Sequence, residues 1–94
     1  MNIRDLANGK PCQVRIPGIC NGNPETTVLA HYRLAGLCGV GMKPSDLVGA
    51  WACSSCHHEI DRRTRICELD FVRLAHAEGC LRTINELVKL GVIP

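Results

Sequence analysis

The chain has 94 residues, enough for one domain, 1–94, with a thin core. Eleven Lys and Arg against nine Asp and Glu leave a net charge of +2, too small to argue for nucleic-acid binding by itself. Seven cysteines, an odd number, with no N-terminal apolar run before a cleavage site, argue against a secreted disulfide scaffold and for reduced thiols in the cytoplasm; no apolar stretch approaches the roughly 20 residues of a membrane span.

Residues 1–10 are polar and read as a loose arm. Residues 11–23 carry Cys12, Pro17, Gly18, Cys20 and Gly22, so turns are expected around the two cysteines. Thr26, Thr27, Val28 and Leu29 favour a strand over 25–32, with His31 near its end. Gly36, Gly39 and Gly41 make 34–43 a flexible loop. Residues 47–52 are apolar, include Trp51, and suit a short second strand. The run Cys53-Ser-Ser-Cys56 leads into a helix expected over about 55–65. Further on, Cys67, Phe71, Leu74 and Ala75 recur at i, i+4, i+7 and i+8, one face of a helix that Gly79 should stop. Thr83 followed by Glu86 forms a capping-box pattern, and Ile84, Leu87 and Val88 give a second short helix ending near Gly91. No chemistry is assigned to these two helices or to His76, which is expected at a solvent edge.

The cysteine spacing carries the first chemical signal. Cys53-x-x-Cys56 sets two thiolates where they can chelate one tetrahedral ion from a tight turn. Cys12 and Cys20 are the candidates to close such a site as structural zinc, with seven residues and the turn formers Pro17 and Gly18 between them. A redox pair would use the same C-x-x-C spacing, but it sits at a helix start in a βαβ unit, and nothing here reads as βαβ. Cys38, Cys67 and Cys80 are left as spare thiols, Cys67 on a core face.

The histidines carry the second signal. His57 and Asp61 are four apart, so on a helix they share a face and can reach one divalent cation. His58 points about a quarter turn away. His31, at the end of a strand, suits a general base near pH 7, and Asp46 is the one acid between Glu25 and Glu59 that could orient it. Arg33 is two residues on, so both side chains leave one face of a strand. Arg62, Arg63 and Arg65 form a basic cluster, read either as a solvated helix end or as a phosphate-facing patch.

In this order the segments Cys12…Cys20, Ala30-His31-Tyr32-Arg33, Lys43-Pro44-Ser45-Asp46-Leu47 and Trp51-Ala52-Cys53-Ser54-Ser55-Cys56-His57-His58-Glu59-Ile60-Asp61 resemble an HNH (ββα-metal) endonuclease. The resemblance is greatest to small phage- and prophage-encoded nucleases with zinc-binding cysteines, and spans residues 11–63. It implies an α+β fold: a zinc-stapled ββα-metal core over 11–63, with supporting C-terminal helices over 66–94. It implies hydrolysis of DNA, with His31 as general base, Asp46 in the place where the family often has Asn, and His57 as a ligand of a catalytic magnesium, manganese or zinc ion. Ala30 stands where many members carry a metal-binding Asp or His, and Asp61 is assigned to fill that gap. The competing expectation is a non-catalytic zinc module binding nucleic acid or protein, which would leave His31, His57 and Asp61 without a role.

Overall fold

The computed structural model describes residues 2–39 and 41–94, so Met1 of the expected arm and Val40 of the expected glycine loop lie outside the described residues. Among the described residues the chain forms an α+β fold with three helices and two strands. The order is α1 (Ile3–Leu6), a 3₁₀ turn (Pro24–Thr26), β1 (Val28–His31), β2 (Gly49–Ala52), α2 (Ser54–Ile60) and α3 (Leu69–Lys89).

The strands pair antiparallel, with Leu29 opposite Trp51, Ala30 opposite Ala50 and His31 opposite Gly49. A Cβ at Gly49 would lie 2.9 Å from Leu29 Cδ1, so any side chain facing His31 from β2 would push the buried Leu29 aside. Ala30, Ala50 and Ala52 are all buried, and their small side chains let the helices approach the sheet closely. The sheet then runs directly into α2, whose first turn is capped by the Cys53 sulfur accepting from the Cys56 amide. One apolar cluster joins Val14, Ile16, the alanines, the buried thiols and Val72. A second joins Ala7, Leu29, Trp51 and Leu87.

Four expectations need correction. The N-terminal arm is not loose: Asn2 caps α1 through its side chain, and Ala7 is fully buried against the Leu29–Trp51–Leu87 cluster. The helix expected to reach residue 65 ends at Ile60, because Arg62 adopts φ +60° and breaks the helical path. Arg62, Arg63 and Arg65 therefore lie in a loop. The two C-terminal helices are one helix of 21 residues running through Gly79. Its buried face is Val72, His76, Gly79, Thr83 and Leu87, while Phe71 and Leu74 of the expected core stripe are exposed.

Gly79 explains why its pattern misleads. A Cβ there would meet Val14 Cγ2 at 2.9 Å and Gln13 O at 3.2 Å, so glycine marks a backbone passing against the helix, not its end. Thr83 is likewise no cap. Its hydroxyl accepts from the Trp51 amide at 3.0 Å and donates to the Gly79 carbonyl at 2.8 Å, tying β2 to α3.

Candidate active site and metal-binding thiols

Cys12, Cys20, Cys53 and Cys56 converge, with all four sulfurs within 4.8 Å of one another. The Cys20 and Cys53 sulfurs are 3.9 Å apart. A tetrahedron of ~2.3 Å metal–sulfur bonds has edges of roughly 3.8 Å, so the donor set fits one tetrahedral ion. Arg15, at φ +55°, turns the chain so that its amide donates to the Cys12 sulfur at 3.5 Å. The Asn21 amide donates to Cys53 at 3.5 Å, and the Asn21 side chain donates to Ser54 Oγ at 3.0 Å, stitching the first loop to α2. Hydrogen bonding from the Cys56 thiol pushes Cys12 down to about 4, and the same bond with burial pushes Cys56 up. A bound dication would favour the thiolate form of the whole set. The four cysteines are positioned to bind a metal ion.

His31 and Asp46 come together from β1 and the loop before β2, with Nε2 to Oδ1 at 2.8 Å. Asp46 is held below the usual carboxylate range, first by the His31 hydrogen bond and then by the charges of Arg4 and Lys43. Arg4 Nη2 lies 3.8 Å from the same oxygen. His57 Nε2 on α2 and Oδ2 of Asp61, the residue that caps its C-terminus, are 3.3 Å apart and partly exposed. Burial lowers the His57 pKa and the Asp61 charge opposes that shift, so the imidazole favours its neutral, ligating form.

His31, Arg33, His57 and Asp61 line one cleft of about 200 Å³, together with Arg4 and Lys43. Among the described residues the thiol cluster is the one group of three or more such side chains close enough to share an ion, so His57 and Asp61 offer two ligands. Ala30 adds none. Arg33 donates to the Met42 carbonyl at 3.3 Å, which anchors its guanidinium at the rim.

Three residues at the cleft have no assignment in the sequence reading. Arg4 lies on a segment without apolar periodicity and is brought in by α1. His76 is buried, not at a solvent edge, and donates from Nε2 to the Ala30 carbonyl at 2.8 Å. Its i, i+4 spacing from Val72 was the available signal. Arg73 sits with its guanidinium carbon 6.0 Å from the Tyr32 ring centroid and lines a hollow that also includes His31 and Asp61. The loop cluster is occupied differently. Arg62 donates to the Cys67 carbonyl at 3.1 Å and lies 3.7 Å from the buried Glu59 carboxylate, and Arg63 pairs with Asp61 at 3.7 Å. Glu59 also accepts from Thr64 Oγ1 at 2.6 Å and from the Cys67 amide at 2.7 Å, so it fixes the α2–α3 loop. His58 lines a separate hollow with Ser55 and Ile66. No helix among the described residues is long and apolar enough to cross a membrane.

A family model described as "Putative nuclease YbcO" matches residues 1–92. "Putative nuclease YbcO" of Escherichia coli (strain K12) is 55% identical over 92 residues, covering 98% of this chain and 96% of that protein. "Putative nuclease ybcO" of Enterobacteria phage 82 matches with the same identity and coverage. A solved structure described as "Structure of a putative bacteriophage protein from Escherichia coli str. K-12 substr. MG1655" superposes with a TM-score of 0.82 at 49% identity, covering 96% of this chain and 100% of that one.

Proposed function

The chain belongs to the YbcO nuclease family, and on that premise we propose that it is a metal-dependent endonuclease of the HNH type, phage- or prophage-derived, that hydrolyses phosphodiester bonds in DNA. The observation that carries this reading is His31, bound to Asp46 at 2.8 Å, lining one cleft with His57 and Asp61.

Asp46 is ionised and can only accept, so a neutral His31 carries its proton on Nε2 and keeps the Nδ1 lone pair as the proton acceptor. His31 Nδ1 takes a proton from the attacking water, and Asp46 stabilises the imidazolium that results. Arg33 offers a fixed positive charge beside the base to a non-bridging phosphate oxygen. His57 and Asp61 would hold a divalent magnesium, manganese or zinc ion, which when bound supplies positive charge where the phosphate and leaving oxygen become more negative. The four thiols would hold a structural zinc, whose tetrahedral all-sulfur site is closed to substrate. Their reduced state suits the cytoplasm.

The test is cleavage of plasmid and oligonucleotide DNA by the wild-type protein with each of the three cations and with chelator. Cleavage that needs a cation and that His57→Ala abolishes supports the reading. Absence of cleavage with every cation would hand the protein to the alternative, a zinc-binding module that docks on nucleic acid or protein without cutting.

A further inference from the structure

The bound strand's path can be read from which cations are free. This inference rests on the nuclease reading above. Two hollows meet at the candidate site and share His31, Arg33 and Asp61 in their walls. One extends past the candidate base to Arg73 on α3, and the other extends past it to Lys43 and Arg4 on α1. Cations from four separate segments line the two: Arg4, Arg33, Lys43 and Arg73.

We propose that the two hollows form one trench, the phosphodiester track, with Arg73 and Arg4 as its two end contacts to the DNA backbone, and that Arg62 and Arg65 lie off it. Arg73 donates through Nε to the Tyr32 hydroxyl at 3.4 Å, and among the described residues neither terminal nitrogen meets an acceptor. Its stem is steered by the Tyr32 ring, so the fork faces outward ready to accept a phosphate. Lys43 has no partner among the described residues. Arg4 is over half exposed and touches one carboxylate oxygen at 3.8 Å, too long for a strong bond, so its fork is largely unspent. By contrast Arg62 is spent on Glu59 and on a backbone carbonyl, and Arg65, whose Nε donates to the Arg62 carbonyl at 3.4 Å, lines neither hollow. A cation already neutralised within the fold releases few counterions on binding DNA. Asp5 and Glu25 line the next hollow beyond Arg4 and would repel phosphate, which ends the track at Arg4.

The experiment measures binding of a labelled 20-mer, single-stranded and as a duplex, to full-length His31→Ala protein across a range of NaCl concentrations. Arg4→Gln, Arg73→Gln and Arg65→Gln are added singly to that background. Each trench variant should weaken binding and lower the slope of log K against log[NaCl] by about one, whereas Arg65→Gln leaves the slope unchanged. Arg4→Lys and Arg73→Lys should restore the slope, which separates lost phosphate contact from misfolding. The proposal is overturned if neither Gln variant changes the slope, if Arg65→Gln carries the loss, or if the His31→Ala protein binds neither probe. Wild-type cleavage, measured separately, tells a wrong track from a wrong function: cutting with unaltered slopes in the trench variants removes the track alone.

Discussion

Asp46 governs what His31 can do. The carboxylate is held low first by its hydrogen bond to His31 and then by the charges of Arg4 and Lys43, and an ionised Asp46 puts the proton of a neutral His31 on Nε2. On the proposed mechanism Asp46 acts through His31, so Asp46→Ala should lower kcat by at least about tenfold with a smaller change in KM; steady-state cleavage rates check this. His76 sets a different dependence. Burial lowers its pKa from the ordinary 6.5 against the pull of the Ala30 carbonyl. The unfolded chain then binds a proton that the folded chain resists, so the neutral ring costs nothing above about pH 6.5 and stability falls as pH drops below it. Thermal melts of the wild type should show a decline from pH 7 to 5.5. His76→Leu should flatten that decline while costing about 1–3 kcal/mol through the lost hydrogen bond to Ala30.

At the level of elements, α3 shows what periodicity misses. Counting apolar residues selects the stripe Cys67, Phe71, Leu74 and Ala75, but packing selects Val72, His76, Gly79, Thr83 and Leu87. Three of those five are polar or lack a side chain, so apolar residues mark the face only at Val72 and Leu87. Each is there for a contact distant in sequence: His76 to Ala30, Gly79 to Val14, Thr83 to Trp51. Gly79→Ala is the test at this scale. Alanine raises intrinsic helix propensity by about 1 kcal/mol, yet its methyl would press on Val14 and on the Gln13 carbonyl. The variant should be less stable than wild type by about 1–3 kcal/mol in denaturant unfolding. A stabilised variant would mean that the helix does not lie against residues 13–14. The strands and the start of α2 were legible because β-formers, small residues and the Cys53-x-x-Cys56 turn act locally. The end of α2 depends on Glu59 gathering Thr64 and Cys67, which spacing does not show.

For the whole molecule, the thiols tie the first loop to α2 beneath the sheet, where a chain of this size has few large side chains to bury. Metal held there is folding energy, on the order of 10 kcal/mol in small zinc domains. Purified protein should carry one zinc per chain by elemental analysis, and Cys53→Ser or strong chelation should unfold it by circular dichroism. The clustering of the four cysteines was legible in the sequence despite the wide Cys12–Cys20 spacing, since Pro17 and Gly18 announce the turn that closes it. The convergence of His31, Asp46, His57 and Asp61 was legible as residue types in order. Arg4 and Arg73 were not, because their place at the cleft depends on how the two ends of the chain pack around β1 and β2. The central claim is that His31 is the base of a phosphodiester hydrolysis. Its most direct test is the single-turnover DNA cleavage rate of His31→Ala against wild type, at equal metal content and equal thermal stability. The variant should be slower by about 10²–10⁴-fold with its fold intact; equal rates in the two proteins would rule His31 out as the base.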